Sequence, residues 1–133
     1  MLIEQALMTY LLTQTGITDY IGRRIYFVEA PQETEQPYMV INKISGVRKN
    51  SHEGNSHLAH PRFQFSVFGS KYSDCKNIIS ALQTSLQGYS GTMGGGGGVY
   101  VGNALYDDET DLDPGDSKGL FGVAADYLIW HEE

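Results

Sequence analysis

Three histidines, His52, His57 and His60, share one polar segment, and zinc is the first chemistry they raise. A zinc site asks for three or four ligands on a fixed scaffold, usually with cysteine or carboxylate help. This segment has no predicted rigidity and Cys75 is distant in sequence, so solvated loop histidines are the better reading. His131 closes the last predicted strand without an evident partner. The run Asp107–Asp116 supplies Asp107, Asp108, Glu109, Asp111, Asp113 and Asp116. A calcium loop of the EF-hand type needs D-x-[DN]-x-[DN]-G and a later glutamate. Here Asp111-x-Asp113-x-Gly115 places the glycine one position early and the glutamate is missing. A solvated turn with Pro114-Gly115 at its corner is the default. Another reading sets these acids along a channel, where they repel a phosphate backbone and let it pass; that channel requires an oligomer.

The run Gly94–Gly98 is not a phosphate-binding P-loop, because no lysine follows it. A flexible loop is the favoured reading, and a segment ordered only under a partner is the alternative. There is no G-x-S-x-G elbow. Cys75 falls on an apolar helical stripe, where a thiol behaves as a small hydrophobe. The basic pairs Arg23-Arg24 and Arg48-Lys49 lack an aromatic platform for RNA, since the nearby aromatics alternate as core residues do. No acid, base and nucleophile set assembles. The residues argue against an enzyme and call for no cofactor and no metal; a metal-dependent enzyme using the acidic run or the histidines is the alternative from another class.

The elements that must hold these residues follow from periodicity. Ile3, Leu7, Tyr10 and Leu11 make one helical stripe, with Gly16 as its predicted stop and a short turn from Thr18 to Gly22. Ile25–Val28 reads as a short strand and Tyr38–Ser45 as a buried one. Gly46–Pro61 holds almost no core residues and reads as a long hairpin tip or a mobile loop, a candidate working surface. Arg62–Phe68 alternates cleanly: Phe63, Phe65 and Val67 face one way, and Arg62, Gln64 and Ser66 the other. Tyr72–Leu86 is a helix with Cys75, Ile78, Ile79, Leu82 and Leu86 on one stripe and Ser70 or Ser73 as its cap. Val99–Tyr106 and Phe121–His131 close the chain as strands. Hairpin neighbours without βαβ alternation predict an α+β domain: a mainly antiparallel sheet, two helices packed on it and long polar loops.

The whole chain is consistent with this. Its 133 residues fit one domain, 1–133, and 41% hydrophobic content supplies a core. A net charge of −7, from 16 acids against nine Lys and Arg, gives no global attraction for nucleic acid. One cysteine cannot form an internal disulfide. The N-terminus lacks a basic region and Glu4 interrupts it, so no signal peptide is expected, nor any membrane partner.

Taken together, the opening helix, Gly22-Arg23-Arg24-Ile25-Tyr26, Pro37-Tyr38-Met39-Val40, Arg62–Phe68 with its following helix, and the closing strand ADYLIWH resemble the tail completion proteins of long-tailed bacteriophages, also called tail terminator or head–tail joining proteins. The resemblance runs over nearly the whole chain. It implies a structural virion protein without catalysis or cofactor, made in the host cytoplasm. Copies would form a hexameric ring that caps the tail tube protein and meets a head–tail connector or stopper. DNA would pass through the lumen without specific binding. A stopper or a tube subunit is the alternative within that class. On this reading Arg48, Lys49, Arg62, Gln64 and Ser66 are candidate interface residues, and the acids Asp107 to Asp116 candidate lumen residues. The glycine run and the acidic run are not features that the resemblance implies.

Overall fold

The computed structural model describes residues 1–45, 48–51, 54–112 and 119–132. The first helix, α1 (Ile3–Leu11), buries Ile3, Leu7 and Leu11 of the predicted stripe together with Ala6, while Tyr10 of that stripe is half-buried. The predicted turn after it is instead a second helix, α2 (Thr15–Ile21), which buries Ile17 and Ile21. Gly16 therefore stops nothing. It lies inside α2 against the later helix, where a Cβ would sit 3.2 Å from the Ala81 Cβ, so its missing side chain lets two helices approach. The long helix α3 (Tyr72–Leu86) has the predicted bounds and the predicted buried stripe, Cys75, Ile78, Ile79, Leu82 and Leu86. Neither serine caps it: the N-cap position is Lys71, with no side-chain cap bond.

The strands are β1 (Ile25–Phe27), β2 (Tyr38–Ser45), β3 (Arg48–Ser51), β4 (Gly54–Ala59), β5 (Arg62–Gly69), β6 (Gly91–Met93), β7 (Val99–Leu112) and β8 (Phe121–Glu132). All eight belong to one sheet. The long strand β8 is its spine. One of its edges takes β5 from Phe121 to Leu128 and then β4 at His131 and Glu132. The other takes β7 along most of its length. Outward from β5 come β2, antiparallel, and β1, the one parallel neighbour among the described strands. The helices make the sheet one-sided: α1, α2 and α3 share a core with Met39, Ile41, Phe63, Phe65, Val67, Val123, Ala125, Tyr127 and Ile129. The fold is α+β, with three helices among the described residues.

Of three segments, one takes the first of its two sequence readings and two differ from theirs. The polar stretch after β2 pairs with itself as β3 and β4, the hairpin alternative. The strand read as ending at Tyr106 runs on to Leu112, so Asp107, Asp108, Glu109 and Asp111 stand on a strand and not in a turn. The glycine run is the tight return between β6 and β7. Gly94, Gly95 and Gly97 hold positive φ of 93°, 80° and 74°, which glycine adopts freely. The Gly98 N–H donates to the Gly95 carbonyl at 3.0 Å, and a Cβ on Gly98 would lie 2.2 Å from the Met93 carbonyl oxygen.

Candidate assembly surface

Because strand side chains alternate, the residues between the core positions of β2, β5 and β8 stand on the sheet face that carries no described helix. Cross-strand register brings Asn42 beside Gln64 and Gln64 beside Asp126, and sets Val40, Ser66 and Ala124 in one row. Val40, Ser66 and Ala124 are buried, at 6%, 6% and 2% exposure, and the segment Val28–Pro31 after β1 borders a shallow cleft with Val40 and Ser66. Gln64 and Arg62 are half-buried. Tyr38 and Phe68 lean on one another on this face, with ring centroids 5.4 Å apart. At the other end His60 stacks on Trp130 at 4.2 Å. Val40, Phe68, Leu128 and Trp130 give the face an apolar content that the reading of Arg62, Gln64 and Ser66 alone did not capture. The signal was the alternation Asp126, Leu128, Trp130 in the closing strand.

The acids of β7 divide between the two faces. The register shift after Tyr106 changes which residues point where. Asp107 pairs with Arg62 on the open face, and Asp126 stands 3.9 Å from the same guanidinium. The hydrogen bond to Asp107 is the main cause that raises the Arg62 pKa, so the guanidinium stays charged. Asp108 lies directly across from Asp126. Such like-charge neighbours repel, and Arg62 between them offsets that repulsion. On the helix side, Lys76 of α3 pairs with Glu109, which raises the lysine pKa. The Tyr72 hydroxyl donates to the Asp111 carboxylate at 3.0 Å, and that bond raises the tyrosine pKa. Asp113 and Asp116 lie outside the described residues. Arg48 and Lys49 belong to β3, at the root of the hairpin across from Ala59 and Leu58; their side chains lie outside what the structure describes.

A cleft separates the start of α1 from the end of the sheet, lined by Leu2, Glu4, Lys43, Ala59, Val99 and His131. Glu4 and Lys43 pair across it at 2.7 Å. Burial alone would raise the Glu4 carboxyl, but the hydrogen bond and charge of Lys43 outweigh it and hold the pKa below its ordinary value. The cleft offers an ion pair and an imidazole but no nucleophile. Burial, the largest cause, pushes the Cys75 thiol up, which keeps it protonated in the core. Among the described residues no three His, Cys, Asp or Glu side chains gather closely enough to hold a metal ion. No helix among them is long and apolar enough to cross a membrane.

A family model described as "Tail completion protein gp17" matches residues 5–132. Among solved structures, a chain from the virion of a native gene transfer agent (GTA) particle has the same fold, with a TM-score of 0.74 at 12% identity over 98% of each chain. No curated protein matches.

Proposed function

The chain belongs to the tail completion protein gp17 family, structural proteins of tail assembly, and from that premise we propose that its copies close a ring on the end of the tail tube. The ring, most simply a hexamer, is made from the single domain 1–133. One side seats on the tail tube protein and the other receives the head–tail connector or stopper. DNA passes through the lumen unbound. The observation that carries this reading is the one-sided sheet: helices cover one face, while the other presents Val40, Phe68, Leu128 and Trp130 around the Arg62 cluster. A ring made of identical copies needs two different surfaces on each copy that meet head to tail. An open sheet face and two unlike sheet edges provide them. A chain of net charge −7 also suits a passage through which DNA must slide without sticking. The net negative charge of the assembled copies is the proposed source of that repulsion, and assembly takes place in the host cytoplasm.

Light scattering after size exclusion, across a wide range of concentration, tests the ring directly. A closed oligomer with a central hole in electron micrographs is expected, either free or captured on one end of polymerised tail tubes. Binding along the whole tube would favour a tube subunit. A chain that stays monomeric and leaves tube ends bare would overturn the proposal.

A further inference from the structure

We propose that neighbouring copies of this chain join edge to edge, with β3 of one copy adding to the open outer edge of β7 in the next. The inference rests on the ring reading and specifies its contact. Unpaired strand edges carry backbone donors and acceptors that template another strand, and proteins usually block them. The outer edge of β7 is covered only in part. Strand β6 pairs with Val99, Tyr100 and Val101. The Gly88 N–H then donates to the Ala104 carbonyl at 2.9 Å, and the Tyr106 N–H donates to Gln87 Oε1 at 2.8 Å. From Asp107 to Leu112, no described strand pairs on that side. One N–H there is met locally, that of Glu109 by Asp108 Oδ1 at 2.8 Å.

Two other strands have a single partner toward the middle of the sheet: β1, only three residues long, and β3, which pairs only with β4 among the described strands. Strand β4 in turn meets β8 only at Leu58 and Ala59, so the rest of the hairpin extends past the sheet as an arm. The two edges are opposite in charge: Arg48 and Lys49 on β3 at the root of the arm, across from Ala59 and Leu58, and Asp107, Asp108, Glu109 and Asp111 on the open stretch of β7. Copies that each carry a net charge of −7 repel one another, and the basic edge of β3 laid on the acidic edge of β7 is the contact that offsets this. Because the edges differ, the contact is head to tail and repeats around a ring.

Charge reversal with rescue tests it, read as the concentration at half-assembly or as capture on tube ends. Arg48→Glu with Lys49→Glu should weaken assembly about tenfold or more, and Asp108→Lys with Thr110→Lys should do the same. A chain carrying all four changes should assemble like the original. Should any of these fail to fold, cysteine cross-linking decides instead: Asn50→Cys and Thr110→Cys chains should cross-link when mixed and not separately. Cys75 is buried and gives little background. Rings that form normally in the reversed arm, or that show no mixed cross-link, overturn the edge contact and leave the ring standing. Failure of the unaltered chain to form a ring, free or on tubes, overturns both.

Discussion

At Gly98 the backbone folds back on itself so closely that a methyl group has nowhere to go. Its Cβ would meet the Met93 carbonyl at 2.2 Å and the Gly95 carbonyl at 2.8 Å, both backbone atoms that cannot swing aside. Gly96 faces nothing within 4 Å and does not need a positive φ. Gly98→Ala should therefore lose about 1–3 kcal/mol in urea unfolding, the range for overpacking. Gly96→Ala should stay within about 0.5 kcal/mol. Equal effects at the two sites would mean that the return between β6 and β7 is not tight. A second residue-scale prediction concerns Glu4. Its folded pKa is lowered by Lys43. A lowered carboxylate pKa contributes stability above the unfolded value, and that stability is lost as pH falls through the folded one. The loss should begin below about pH 4.3, the ordinary glutamate value. Lys43→Met should cost about 0.2–1 kcal/mol at pH 7, the range for a partly exposed pair. The difference between the two proteins should shrink as pH falls further below the ordinary glutamate value, and a difference that does not change with pH would assign it to lost packing.

Elements here are joined mainly through α3. Its stripe packs on the core face of the sheet, and its outer flank holds β7 through Lys76 with Glu109 and Tyr72 with Asp111. Leu82 is fully buried in the middle of that stripe. Leu82→Ala should destabilise by about 2–5 kcal/mol, because the cavity cannot collapse between helix and sheet. The neighbouring exposed Gln83 is the control, expected within about 0.5 kcal/mol on change to alanine. Comparable losses at both positions would deny α3 its place on the core.

At the scale of the whole molecule, helices cover one face of the sheet and none described covers the other, and the outer edges of β3 and β7 carry opposite charge. A partner that binds only the folded chain raises its melting temperature with concentration. If copies close on one another, the melting temperature should climb as the chain is concentrated, and the arm variant with Arg48→Glu and Lys49→Glu should flatten that climb. A melting temperature independent of concentration would mean that free copies do not associate, leaving the tube end as the place of assembly.

Periodicity alone determined much of this protein. Helix α3 has the bounds expected of its stripe, and Phe63, Phe65 and Val67 of β5 are buried on one face. These patterns are legible because a buried face repeats at the period of its own element, whatever lies opposite. Only the tertiary structure decided what depends on a partner distant in sequence. In the sequence helix α2 reads as a turn because it is short, and just Ile17 and Ile21 are buried on it. Gly16 reads as a stop, but its meaning lies in the Ala81 contact that chain order does not reveal. The acids of β7 read as a turn because strands rarely hold so many. What lets them form a strand is the spine β8 along one side, with Arg62, Lys76 and Tyr72 brought from three other places in the chain to meet their charge. The candidate surface divides in the same way. The alternation of Arg62, Gln64 and Ser66 placed them on one face, but whether helices covered that face, and which edges remained open, was settled only by how the layers packed.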